Sequence, residues 1–164
     1  MLGQVYISDA TDLSAIADNE YDFVLSSNNV EHIANPLKAL KEFCRILKRN
    51  GAIVIAVPVK ERTFDHNRSD TTFEHLCQDY DNNIKEDDLS HLPEILELHD
   101  YSMDLPCGGK TAFERRAKQN FYNRCLHHHV FSEMCLKQMY EWLDVEVIDF
   151  WKVAENYIIL GRKR

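Results

Sequence analysis

The chain has 164 residues, of which 45% are hydrophobic and 28% charged, a composition typical of one globular domain with a buried core. Its formal net charge of −8 argues against a nucleic-acid partner, because phosphates require a basic face that displaces their counterions. The longest apolar run, AIVIAVPV at 52–59, is far shorter than a bilayer span, and we expect no membrane partner.

The cysteines point to a reducing compartment. None of the five forms a CxxC pair, and Cys44, Cys77 and Cys135 fall on apolar faces of predicted helices, where cysteine acts as a small hydrophobe. The sequence contains no basic segment followed by an apolar one, which is the pattern of a signal peptide. We therefore predict reduced thiols and a cytoplasmic protein.

The first sixty residues read as strands around one helix. VYIS (5–8) predicts a short strand ending at Asp9, and FVLS (23–26) predicts a second. Asn35-Pro36 is a helix start signal, and Asn50-Gly51 ends the apolar helical stripe. IVIAV (53–57) shows no polar alternation, which is typical of a strand covered on both faces. This order predicts a parallel pair with a right-handed crossover.

The remaining chain changes character twice. Residues 60–130 are polar and rich in histidine, with helical periodicity, and we predict a helical insertion or cap there. Ser132 then begins a further helix. VEVIDFW (145–151) and NYIILGRK (156–163) predict an antiparallel strand pair at the end of the chain.

A polar cluster, SSNNVEH (26–32), follows the strand FVLS. In an open parallel sheet, ligands bind in the crevice outside the carboxyl ends of the strands. The cluster is therefore the first place to expect chemistry, and the alternative is an ordinary polar turn that satisfies exposed backbone groups.

These pieces together resemble the class I S-adenosylmethionine-dependent methyltransferases, of the methyltransferase type 11 kind. The matching stretches are Asp9-Ala10, residues 22–33, the helix end LKRNG (47–51) leading into the strand at 52–58, and the tail 131–164. The resemblance implies an α/β fold with a partial Rossmann-like sheet, mostly parallel with an antiparallel C-terminal strand. It also implies one domain over 1–164 with the helical insertion at 60–130.

One part of the family pattern is missing from the sequence. The first strand with its glycine-rich turn, and the acid that holds the ribose, would both precede Met1. We therefore expect an N-terminally truncated domain in which S-adenosylmethionine binding is weak or absent. A glycine-rich turn matters because it lets backbone amides approach the ligand closely.

The resemblance also implies cofactor-binding residues. Asp9 and Ala10 would recognise adenine, and Ser27, Asn28 and Asn29 would line the methionine end. Glu31 and His32 would face the reaction cleft, with His32 bordering the cofactor. For Asp9 the alternative is that its carboxylate caps the turn that follows it.

Eight histidines supply candidates for a base or a metal ligand. Helices packed on the carboxyl edge of the sheet would bring His66 and the run 127–129 over the polar turn, and we name His66 and His128 as candidate catalytic bases. Consecutive residues cannot all face one ion, and no HExxH pattern occurs, so we predict no metal site.

The leading hypothesis is methyl transfer to a small-molecule acceptor, driven mainly by proximity and orientation. The alternative is a catalytically inactive, truncated methyltransferase-like fragment that serves as an interaction module. Without the family's first strands the sheet would have an open edge, a template for pairing. We expect residues 4–8 to pair with 23–27, or two chains to form a homodimer through this edge.

Overall fold

A four-stranded sheet is the framework of the computed structural model, which describes residues 3–164. The order is β1-β2-β4-β3, with β1 parallel to β2 and the other two neighbouring pairs antiparallel. The strands span Tyr21–Ser27 (β1), Leu47–Pro58 (β2), Val145–Val153 (β3) and Asn156–Lys163 (β4). This mixed sheet confirms the predicted α/β fold class, the parallel first pair and the antiparallel C-terminal pair.

Helix α1 (Pro36–Ile46) begins as predicted, because the Asn35 side chain accepts a hydrogen bond from the Lys38 amide at 3.1 Å. It ends earlier than predicted. Leu47 is already extended and pairs with Tyr21 across the sheet, and its side chain is completely buried. Burial in the sheet therefore outweighs the helical periodicity of this residue.

The strand predicted at VYIS is wrong. Residues 3–20 form turns and irregular structure, and the side chains of Val5 and Ile7 are 85% and 100% exposed. The predicted pairing of residues 4–8 with β1 is therefore wrong as well. Without a neighbouring strand to supply backbone partners, β-propensity alone does not fix a strand. The homodimer through the β1 edge stays a prediction.

Helices cover one face of the sheet. Along β2, Ile53, Ile55 and Val57 are buried beneath them, whereas Val54 points to the other face and is only half-buried. The expectation of a strand covered on both faces is therefore not met within residues 3–164. Next to Val54 on the open face, Leu25 of β1 is 64% exposed.

Four helices lie between β2 and α6: α2 (Phe73–Asp81), α3 (Leu92–Leu98), α4 (Lys110–Ala117) and the single turn α5 (Asn120–Asn123). We call residues 60–130 the helical segment. Its status as an insertion stays a prediction. Helix α6 (Glu133–Trp142) begins at Ser132 as predicted, where the hydroxyl accepts from the Cys135 amide at 3.2 Å.

The apolar side chains form two cores. The larger one joins the sheet to α1, α2 and α6, and the smaller one, around Leu126, lies inside the helical segment. Gly161 lets β4 approach α6, since a Cβ there would lie 2.5 Å from the Tyr140 ring. All five cysteines are free. In residues 3–164 no helix is both long and apolar enough to cross a membrane.

Candidate functional site

The polar turn after β1 is tightly built. Asn28 adopts a left-handed backbone with φ of 48°, and this conformation turns the chain out of the sheet. The backbone N–H of Asn28 donates to Ala56 O at 2.9 Å. A short 3-10 helix, Val30–His32, follows. Ser27 and Asn28 are exposed, and the Asn28 amide group bonds the Asn156 side chain at 3.1 Å.

A cleft of about 580 Å³ opens beside this turn. It is bordered on one side by residues 7–10 and on the other by Asn29, His32 and Ile33. The structure thus brings together three of the predicted cofactor residues, Asp9, Ala10 and His32, whereas Ser27 and Asn28 lie outside the cleft wall. Asn29, which the resemblance also places at the methionine end, lines the cleft as a fourth.

Arg124 closes the cleft from the helical segment. Its guanidinium lies 2.9 Å from Asp9 Oδ2 and 2.7 Å from Glu86 Oε2. The contact with Glu86 is close but poorly aligned for a hydrogen bond, so we treat it as an ion pair. Glu86 also accepts from the Ala34 amide at 2.9 Å through its other oxygen. One arginine therefore joins the N-terminal loop to the helical segment.

Asp9 caps its own turn, as the alternative interpretation held. Its Oδ1 accepts from the Thr11 amide at 2.9 Å and from the Thr11 hydroxyl at 2.8 Å. Burial raises the pKa of Asp9, but these bonds and the Arg124 charge outweigh it, so the pKa lies below its usual value. Asp9 is therefore a carboxylate, with about one of its four acceptor positions left for a ligand.

His32 faces the cleft as a neutral imidazole. Its Nδ1 lies 3.0 Å from Leu126 O, which accepts only if Nδ1 carries the proton, and Nε2 is then an acceptor. Burial, and next the positive potential of His127, lower the pKa of His32 to about 4. The ring of His127 contacts it edge-on at 4.6 Å between centroids. The prediction that a histidine of the helical segment lies at the polar turn is thus confirmed for His127.

His127 is oriented by a buried carboxylate. Its Nδ1 lies 2.6 Å from Asp65 Oδ2, and Asp65 also binds Arg68 at 3.1 Å. Burial raises the pKa of Asp65, but the hydrogen bond and charge of His127 and then the Arg68 charge lower it below its usual value. A carboxylate on one imidazole nitrogen fixes the ring and leaves the other nitrogen for chemistry. His127 is one of three consecutive histidines. The sequence alone therefore gave no reason to prefer it to His128 as the candidate base.

The two histidines named as bases lie elsewhere. His128 is 1% exposed, and its Nε2 is 2.9 Å from the Asn120 side-chain amide. Burial, and next the charge of His91, lower its pKa to about 4. His66 bonds Asp100 at 2.9 Å on the surface. A base must reach the proton that it removes, and neither residue lines the cleft wall, so their catalytic role stays a prediction.

The architecture defines a class of protein. Residues 3–55 match the model of a family described as "Methyltransferase domain". This match covers about a third of the chain and, together with the sheet topology, agrees with the predicted resemblance to class I S-adenosylmethionine-dependent methyltransferases. No curated protein matches the chain.

Several solved structures share the fold. A Thermotoga maritima protein described as an S-adenosylmethionine-dependent methyltransferase, possible histamine N-methyltransferase, aligns at a TM-score of 0.51 and 17% identity over 96% of this chain and 62% of that one. The putative methyltransferase in a complex with the Trm112 activator from Haloferax volcanii aligns at 0.53 and 13%, over 96% and 59%. The chain thus spans less than two thirds of either protein.

Proposed function

We propose that the protein transfers a methyl group from S-adenosylmethionine to a small-molecule acceptor. The main support for this proposal is the cleft at the carboxyl edge of the sheet. In it, Asp9 and Ala10 face Asn29 and His32 across a space of about 580 Å³. Ligand sites in open α/β sheets lie at this edge. The family match supports the use of this cofactor in general.

The residues present fit the adenine side of the cofactor. Asp9 keeps one acceptor position for an exocyclic amine, and Ala10 offers a backbone amide beside it. Ser27 and Asn28 remain the candidates for the methionine end, although they lie outside the cleft wall. When bound, the cofactor supplies a methyl group on a sulfonium centre.

The protein's own part in the reaction is to hold the acceptor and receive its proton. We assign this role to His127, which does not line the cleft wall itself, because Asp65 fixes its ring and the ring contacts His32, which does. Positioned proton transfer contributes roughly 10²–10⁴-fold to the rate. His66 and His128 remain alternatives without such an orienting partner at the cleft.

Binding tests the cofactor half of the proposal. The described residues provide only part of the usual contacts, and each missing contact costs roughly 1–3 kcal/mol, so we expect weak binding by the 164-residue chain. Calorimetry and NMR titration with S-adenosylmethionine and adenosine should perturb residues 7–10 and 29–33. Sub-micromolar affinity would contradict the expected weakness, and perturbation confined to other regions would overturn the assignment of the cleft.

Asp9→Asn and Asp12→Asn form a matched pair for this test. Both aspartates cap the residue two positions later, at 2.9 Å and 3.1 Å, but only Asp9 borders the cleft. We expect Asp9→Asn to weaken adenosine binding several-fold and Asp12→Asn to leave it unchanged. Equal effects would show that turn capping, rather than ligand contact, is being measured.

Turnover tests the catalytic half. With a panel of hydroxyl and amine acceptors, the demethylated cofactor is the product to measure. His127→Gln and Asp65→Asn should each lower turnover far more than cofactor affinity. A loss in His66→Gln or His128→Gln with His127→Gln unaffected would return the role to the residues that the sequence favoured.

The interaction-module alternative keeps one supporting observation. The open face at the β1 edge exposes Phe23 and Leu25 by 66% and 64%, which is unusual for large apolar side chains in one patch. Failure of both cofactor binding and turnover, with association retained, would favour this second function.

A further inference from the structure

Four side chains of metal-ligand type meet beside α2. His75 and Asp79 lie one helical turn apart on α2, His91 is the residue before α3, and His129 lies in the stretch before α6. One potential ligand atom from each lies within 4.8 Å of all the others. Three distant parts of the helical segment and its boundary therefore converge on one point.

Three of the six distances between these atoms are close to those between the ligands of a tetrahedral ion. The Nε2 atoms of His75 and His91 are 3.1 Å apart, and Asp79 Oδ2 lies 3.3 Å from His75 Nε2 and 3.6 Å from His129 Nε2. Zinc–nitrogen and zinc–oxygen bonds of about 2.0–2.2 Å place tetrahedral ligands roughly 3.3–3.6 Å from one another. The remaining three pairs of atoms lie within 4.8 Å of each other.

Hydrogen bonding within the cluster leaves polar atoms unsatisfied. Asp79 is 8% exposed, and its Oδ2 has no hydrogen-bond partner. A buried carboxylate oxygen without a donor is costly. His129 Nε2 also lies 3.2 Å from Ala34 O, an acceptor that competes with an ion for this nitrogen. A bound cation would supply the positive charge that the Asp79 Oδ2 oxygen lacks.

We propose that His75, Asp79, His91 and His129 bind one Zn²⁺ ion. Three imidazoles and one carboxylate in tetrahedral arrangement suit zinc among the biological divalent metals. Four protein ligands close the coordination shell, which is the pattern of a structural rather than a catalytic site. This inference goes beyond methyl transfer and does not depend on it, and it differs from the sequence prediction of no metal site.

The protonation states agree with this site. Burial raises the pKa of Asp79 to about 6, because the carboxylate is desolvated. Burial, and next the charge of one neighbouring histidine (His75 for His91, and His91 for His129), lower the pKa of His91 and of His129. A divalent cation at the centre of the cluster would stabilise the ionised carboxylate of Asp79 and so lower this pKa.

The ion would fasten the helical segment to the wall of the cleft. The Asn35 side chain donates to Asp79 O at 2.9 Å, and Ala34 O lies beside His129. These two residues directly follow the turn that carries His32. The site would therefore hold α2, the start of α3 and residues 127–131 in fixed positions behind the candidate active site.

Metal content and affinity test the proposal directly. Chain purified without a histidine tag from zinc-supplemented cells should contain about one equivalent of zinc. After removal by a chelator, Zn²⁺ titration against a competing chromophoric chelator should restore one site, and Co²⁺ should give the strong visible bands of tetrahedral coordination. A raised melting temperature with zinc should accompany binding.

Ligand variants locate the site. Asp79→Asn and His91→Gln keep the side-chain size, and each should weaken zinc binding by more than the roughly 10–100-fold that an outer-shell change costs. His66→Gln is the matched control, a histidine of the same segment that pairs with Asp100 outside the cluster. It should bind zinc like the parent chain.

Two results would overturn the proposal. One is a folded parent chain, verified by circular dichroism, that neither contains nor binds zinc. The other is a pair of ligand variants that fold and keep parental zinc affinity. If one variant does not fold, the other and the Co²⁺ spectrum of the parent chain decide the question.

Discussion

The sheet and the helical segment bury different chemistry. The sheet core is made of apolar side chains from β2, β4, α1 and α6, such as Leu40 and Ile55. In contrast, of the eleven buried polar or charged residues within 3–164, eight lie in the helical segment, namely Asp65, Arg68, Asp79, Glu86, His99, Asn120, His128 and His129. Apolar burial therefore stabilises the sheet, while buried ion pairs and hydrogen bonds hold the segment over it, although Asp79, Glu86 and His129 keep polar atoms without hydrogen-bond partners.

This difference teaches where each half is vulnerable. An apolar core tolerates volume-conserving changes, whereas a buried polar network is strongly destabilised when one partner is removed. The candidate site lies where the two regions meet, since His32 follows β1 and His127 belongs to the helical segment. Its geometry therefore depends on both.

Arg68→Met should have the largest effect. Arg68 is 3% exposed, pairs with Asp65 and donates to the carbonyls of His127 and His128 at 2.8 Å and 3.1 Å. Removing one partner of a buried pair costs about 3–5 kcal/mol. Urea unfolding measures the loss. Arg164→Met removes a surface pair with Asp144 and should cost less than about 1 kcal/mol, and similar losses in both would contradict the comparison.

Leu40→Ala and Leu126→Ala compare the two apolar cores. The two leucines are 1% and 0% exposed, in the larger and the smaller core respectively. Each truncation should cost about 2–5 kcal/mol. Hydrogen exchange should show faster opening throughout the chain for Leu40→Ala, but mainly within 60–130 for Leu126→Ala. Uniform acceleration in both would mean that the regions unfold as one unit.

Gly161→Ala tests how closely α6 packs on β4 in the sheet core. An added Cβ would lie 2.5 Å from both the Tyr140 ring and a Val145 methyl carbon, and overpacking of this kind costs about 1–3 kcal/mol. Gly3→Ala is the control, since nothing lies within 4 Å of that position. A melting temperature unchanged by Gly161→Ala would show that α6 packs more loosely on β4 than the structure indicates.

Leu25→Lys should have the smallest effect on stability, within roughly 0.5 kcal/mol, because the side chain is 64% exposed. It should nevertheless weaken association through the β1 edge, where we expect two chains to pair. Light scattering at low and high concentration measures the mass. A parent chain that is monomeric at both concentrations would remove the homodimer from consideration.

Local signals in the sequence determined much of the framework. Asn35-Pro36, Ser132 and the apolar strand patterns predicted the two main helix starts and the parallel and antiparallel pairs. These succeed because capping and burial on one face act over a few residues. The order of the motifs also predicted the methyltransferase fold. Of the residues that it assigned to the cofactor, Asp9, Ala10 and His32 lie at one cleft, whereas Ser27 and Asn28 do not.

Tertiary structure decided the rest. VYIS has strand propensity but no strand beside it, and Leu47 continues a helical stripe but pairs in the sheet. Among the histidines, only folding selects His127 for Asp65 and brings His129 to His75, Asp79 and His91. Partners tens of residues apart in sequence leave no periodic signal, because their contact depends on how separate helices pack on the sheet.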